Sequence, residues 1–139
     1  MLFRSETNFS ATADTFKLDY RSAYAVPSLQ KLERTFVFQR GETPSLEVRD
    51  EVKFSQPESF ETALITWGEI KTVNATTLEI TDGSSTVRVT IDTQGRSFKI
   101  KQETIDEDVD TKRKPVRVGV VLDEKIPAAT VTLRIAPVN

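Results

Sequence analysis

The chain has no cysteine and no histidine. Without cysteine, disulfides and thiol chemistry are excluded, which fits a reducing compartment or an exported protein that needs no bridges. Without histidine, the commonest general base, the commonest metal ligand and the usual pH switch are all gone. Any catalysis would rest on Tyr, Asp, Glu, Lys or Ser. No excess of either sign exists: 19 Lys and Arg against 21 Asp and Glu give a net charge of −2. Such a balance gives no strong field favouring nucleic acid or anionic lipid. No apolar run approaches the ~18 residues of a membrane helix. The opening "MLFRSETNFS" lacks the apolar core of a signal peptide. Glycine-rich phosphate loops and nucleophile elbows are missing too.

What is present is alternation. At 139 residues the chain is expected to form one domain, and at this size about two thirds of the unfolded surface is removed. Leu46, Val48, Val52 and Phe54 share one face of an extended segment, with Glu47, Arg49, Glu51 and Lys53 on the other. Val87, Val89 and Ile91 repeat the pattern, as do Val116, Val118, Val120 and Leu122, and Val131, Leu133 and Ile135. Shorter strands are expected at 16–20, 35–39, 77–81 and 97–101. "FETALITW", 60–67, is apolar on both sides and is expected to be central or covered by something else.

Turn signals fall at "RGETPS", "SQPES", "TDGSS", "TQGR" and "DEKIP". In "TDGSS", Asp82-Gly83 suits a tight hairpin. "SLQKLE", 28–33, offers one or two helical turns at most. The fold class expected is all-β: an antiparallel two-sheet sandwich, supersandwich-like, of about nine to ten strands with little or no helix. Residues 1–12 are expected to be a loose lead-in, and 101–114 the one long or mobile loop.

In 34–54 a charged pair interrupts the apolar face. If Arg40 and Leu46 close the loop, positions summing to 86 face one another: Phe38 with Val48, Phe36 with Asp50, Arg34 with Val52. Arg34 and Asp50 then become diagonal neighbours on one face. A carboxylate among valines and phenylalanines needs a partner, and the arginine fork can hold both its oxygens. The pair reads as structural wiring, set against a catalytic or sugar-binding carboxylate.

Other constellations carry less. Asp106, Asp108 and Asp110 alternate as a calcium loop begins, but Thr111 stands where that loop needs glycine and Arg117 where it needs glutamate. A solvated hairpin loop is expected, and no metal site or cofactor. Trp67, the sole tryptophan, is expected to pack, within this domain or against another, with a stacking platform for sugar rings as the alternative. Tyr20 and Tyr24 stand in no catalytic motif. "NFS" at Asn8 and "NAT" at Asn74 match the glycosylation acceptor, a match frequent by chance.

Four stretches taken in order, "FKLDYRSAYA", "LQKLERTFVFQRGETPSLEVRDEVKFSQPESFETALITWGEI", "KRKPVRVGVVL" and "VTLRIAPVN", resemble the carboxy-terminal β-sandwich region of heparinase II/III-like polysaccharide lyases. The resemblance covers roughly residues 13–139 and rests on framework and spacing. It implies an α/α toroid ahead of the sandwich, with the substrate cleft between the two, and β-elimination of uronic-acid polysaccharides such as glycosaminoglycans. It also implies a bacterial, secreted or periplasmic setting.

The family's tyrosine and histidine acid–base pair has no counterpart in a chain without histidine, so no catalytic residue is carried over. The expectation is a non-catalytic domain, a piece of a larger lyase-like polypeptide, inactive alone. Its partners would be the toroid and an acidic polysaccharide, with neither nucleic acid nor membrane. Trp67, Arg34 and Arg40 are the candidate ligand-binding residues, and an exposed sheet face could make a homodimer. The alternative is a free-standing carbohydrate-binding module.

Overall fold

A computed structural model describes residues 4–108, 110 and 112–139. Among the described residues there are eleven strands: β1 (Arg4–Phe9), β2 (Ala13–Asp19), β3 (Leu29–Gln39), β4 (Ser45–Glu58), β5 (Glu61–Thr66), β6 (Glu69–Asn74), β7 (Thr77–Asp82), β8 (Ser85–Asp92), β9 (Phe98–Thr104), β10 (Val116–Leu122) and β11 (Ile126–Pro137). A 3-10 turn, Arg21–Ala23, follows β2. Eight strands form one sheet in the order β1-β2-β3-β4-β11-β8-β7-β6, and three form the other, β5-β10-β9. Every neighbouring pair is antiparallel. The two-sheet all-β architecture read from the alternation is the one observed.

Alternation becomes packing at the facing surfaces. On β10, Val118, Val120 and Leu122 point into the sandwich. Opposite them lie Val52 and Phe54 of β4, Val131 and Leu133 of β11, Val89 and Ile91 of β8, and Leu78 of β7. Burying each such side chain fully contributes about 1.5–3 kcal/mol. The last strand, β11, sits between β4 and β8, so the two ends of the sequence are knitted into one sheet.

The core does not fill the large sheet evenly. Buried side chains run diagonally across it, from Leu29 and Phe54 to Leu78 and Ile80. The inner face of β1, β2 and the far half of β3 lies outside that band. Phe16, Leu18 and Phe36 are half-buried there, Phe38 is 42% exposed and Phe9 68% exposed.

Several expectations change. β1 is a strand paired along its length with β2, so residues 4–9 are no loose lead-in. β1 and β6 are strands the alternation did not reveal. "SLQKLE" opens β3 and is not helical. The register shifts between Leu29 and Lys31, which lets Leu29 and Leu32 both face the core at a helix-like spacing. "SQPES" runs largely within the end of β4, with Pro57 near its terminus. β5 is an edge strand of the small sheet, not a central one. Its inner face carries Thr62 and Leu64, and its outer face leaves Ile65 63% exposed.

The "TDGSS" hairpin forms as read: Asp82 pairs with Ser85 and Gly83 takes φ +61°, open to glycine at little cost. The loop expected at 101–114 is shorter at its start, since β9 continues to Thr104.

Candidate functional site

β3 and β4 set the site's geometry. Their register pairs Arg34 directly with Asp50, Phe36 with Val48 and Phe38 with Leu46. The sum is 84, two less than expected, because Ser45 still pairs with Gln39 and shortens the loop. A two-residue change preserves faces, so Arg34 and Asp50 remain on the inner side, now directly opposite and not diagonal.

Asp50 is 1% exposed. Arg34 Nε donates to its Oδ1 at 2.6 Å and Nη2 to its Oδ2 at 2.7 Å. The same Nη2 donates to Thr62 Oγ1 at 3.1 Å, and the Thr62 hydroxyl donates to Asp50 Oδ2. Thr62 belongs to β5, so this cluster ties the large sheet to the small one. Tyr20, just past β2, donates to Asp50 Oδ1 over 3.4 Å, and the Arg34 guanidinium lies 5.8 Å from its ring centre. Burial, and then the Asp50 charge, push the Tyr20 hydroxyl well above the usual tyrosine range. The hydrogen bond to Asp50 raises Arg34 further above its already high value. Both effects keep the phenol protonated and the guanidinium charged.

The cluster forms one wall of a cavity of about 490 Å³ along the start of β5. Leu32, Val52 and Phe60 give it an apolar lining, and Tyr24 stands against Tyr20 with ring centres 6.1 Å apart. Two glutamates, Glu58 and Glu61, also line it. Ser28 and Gln56 donate to Glu58, and Arg117 pairs with Glu61.

The three residues singled out from the sequence are scattered. Arg34 lines this cavity. Arg40 lies at the β3–β4 hairpin, paired with Asp14, donating to the Ser10 carbonyl at 3.1 Å and stacked 5.7 Å from the Phe38 ring centre. Trp67 follows β5 and is 44% exposed, outside the core of this domain, which leaves packing against another domain as the expectation still open. Its carbonyl accepts from Arg113, which also donates to Asp82 at 2.9 Å. Sequence reasoning missed Thr62: a threonine among "FETALIT" carries no signal until β5 is laid over β4. Of the calcium-like run, Asp106, Asp108 and Asp110 are described and Thr111 lies outside the described residues. Among the described residues no group of three acidic side chains converges to hold an ion.

No protein-family model matches the chain, and no curated protein matches it. Solved structures do. A heparinase III gene product superposes with a TM-score of 0.69 at 19% identity, over 96% of this chain and 21% of its own. Another heparinase III gives 0.70 at 13% identity, over 99% and 21%. Heparan sulfate lyase HepC from Pedobacter heparinus gives 0.75 at 10% identity, over 99% and 22%. The chain thus spans about a fifth of the length of the structures it matches. At these identities the likeness is one of fold. The resemblance seen in the order of the strands therefore holds in three dimensions: this chain has the fold of a β-sandwich portion of heparinase III structures.

Proposed function

We propose that this chain is a non-catalytic β-sandwich domain of a polysaccharide-lyase-like polypeptide. It supports a helical toroid and walls one side of a cleft for an acidic polysaccharide, in a secreted or periplasmic setting. One observation carries the reading: in the cavity, the deepest carboxylate is fully engaged. Elimination next to a uronate carboxylate needs a base free to take a proton and an acid free to give one. Asp50 accepts from Arg34, Thr62 and Tyr20. Tyr20 keeps its proton at neutral pH. The cluster is suited to joining sheets, not to moving protons. Ile65 and Trp67 make an exposed apolar strip that suits a second domain.

The purified chain, offered heparan-type and alginate-type polymers, should generate no ultraviolet absorbance from an unsaturated product. Sustained product formation would refute the reading.

The second reading, a carbohydrate-binding module, draws on the Tyr20–Tyr24 pair at the cavity and on exposed Trp67. It predicts retention on a glycan array that Trp67→Ala or Tyr24→Ala weakens. A second copy packing on the Ile65–Trp67 strip would instead appear as a dimer in sedimentation that Ile65→Ser dissolves.

A further inference from the structure

The two sheets are unequal, with eight strands against three. At the border where the small sheet stops, β5 leaves a free edge. Its hydrogen-bonding phase can be read. Leu122 N–H donates to the Phe60 carbonyl at 3.1 Å, in register with Thr62 opposite Val120 and Leu64 opposite Val118. In an antiparallel pair, alternate residues turn their backbone groups to the partner. Phe60, Thr62 and Leu64 therefore face β10, and Glu61, Ala63 and Ile65 turn N–H and C=O to the open side.

Beside this edge, the large sheet continues. Thr62 sits over the Arg34–Asp50 pair. One step further along β3 and β4 come Phe36 and Val48, with Phe16 opposite Phe36 at 6.1 Å between ring centres. Val48 packs on the buried core, so this floor continues the established interface between the sheets without a break. The cavity of about 490 Å³ opens along the same strand.

Other edges are guarded. β1 carries Glu6, β6 carries Lys71, and β9 carries Lys99 and Lys101. Charged residues, lysine above all, are the usual protection of an exposed edge. β5 has no lysine, arginine or proline, only Glu61, which is engaged by Arg117.

We propose that the free edge of β5 is a docking site for an extended, strand-forming peptide segment of a partner polypeptide. That segment adds a fourth strand to the small sheet. It hydrogen-bonds to Glu61, Ala63 and Ile65 and lays alternate apolar side chains on Phe36, Val48 and Phe16. A second copy paired through its own β5 does not fit. Pairing β5 with β5 about a two-fold axis would place both large sheets on one side, where β1–β3 already overhang. The site takes a lone strand of alternating apolar and polar residues. The inference goes beyond the domain reading and holds whether or not the parent polypeptide is a lyase.

The test uses the 139-residue chain and a short synthetic peptide alternating valine and threonine, with a lysine at each end. Hydrogen exchange at the Ala63 and Ile65 amides should slow in its presence. Ala63→Pro removes one outward N–H and spares every bond to β10, since proline is tolerated on an edge strand. It should weaken the peptide by about tenfold or more while the thermal unfolding curve stays near that of the parent chain. Phe36→Ser should weaken it independently, through the floor. The proposal is overturned if the peptide leaves the β5 amides unprotected, or if Ala63→Pro and Phe36→Ser both bind it undiminished. It is equally overturned if β5 becomes protected through a concentration-dependent dimer of the chain.

Discussion

Arg34 and Asp50 stand directly opposite one another on β3 and β4, joined by two parallel hydrogen bonds of 2.6 and 2.7 Å. Both oxygens of the buried carboxylate are bound by one planar fork, the strongest geometry this pair of side chains has. Thr62 then extends the pair across the sandwich. The link from sequence to fold is short here: a charge that alternation places on an apolar face must find a partner, and that partner fixes the register.

Thr62→Val keeps the shape of the side chain and removes its hydroxyl. It leaves an Asp50 oxygen and an Arg34 N–H each short of a partner, so it should destabilise by about 1–3 kcal/mol in urea unfolding. The β-sheet circular dichroism signal should not change. A loss below a few tenths of a kcal/mol would mean the hydroxyl contributes nothing between the sheets.

The Tyr20 hydroxyl carries a pH signature. Its folded pKa is raised, by burial first and by the Asp50 charge second. The unfolded chain loses that proton near pH ~10, while the folded chain keeps it. Above that pH the folded state binds more protons than the unfolded one, so stability falls as pH rises. The contribution is complete below about pH 10 and declines above it. Tyr20→Phe should flatten this decline, seen as converging urea midpoints of the two proteins as the pH rises. Parallel midpoints would contradict it.

Gly68 joins β5 to β6 where the chain crosses from one sheet to the other. A Cβ there would lie 2.7 Å from Ile80 Cγ2 and 2.9 Å from the Thr81 carbonyl oxygen. The carbonyl belongs to a paired strand and cannot retreat cheaply. Gly68→Ala should cost about 1–3 kcal/mol by overpacking, measured as a lowered thermal midpoint.

Trp67 should behave as a surface residue. Its fluorescence in the folded chain should be quenched by iodide, and Trp67→Ala should shift the unfolding free energy by less than about 1 kcal/mol. A blue, unquenched emission would place the ring in a core.

Much of the fold was legible in the sequence because period two leaves a plain mark. Val116 to Leu122 alternate cleanly, and β10 has those bounds. β6, "EIKTVN", escaped because only Ile70 is even half-buried along it, so burial never imposed a pattern. "SLQKLE" misled because a bulge converts a strand's spacing into a helix's. The Arg34–Asp50 pairing could be read, since a two-residue register shift keeps faces, though diagonal became direct. What joined the pair to the other sheet could not. Thr62 is distant in sequence, and its role exists only once the sheets stack. Which of the two packings expected for Trp67 applies could not be read either, since its apolar neighbourhood in sequence, Ala63 and Ile65, lies on the outer side of an edge strand.

The most direct test of the claim that this cluster is structural is a double-mutant cycle on Arg34 and Asp50 by urea unfolding. Asp50→Leu and Arg34→Met are each predicted to cost about 3–5 kcal/mol, because each strands a buried charge or its donors. The double variant is predicted to lose far less than their sum, leaving a coupling of about 2 kcal/mol or more. Additive losses, or singles that unfold like the parent chain, would contradict the account.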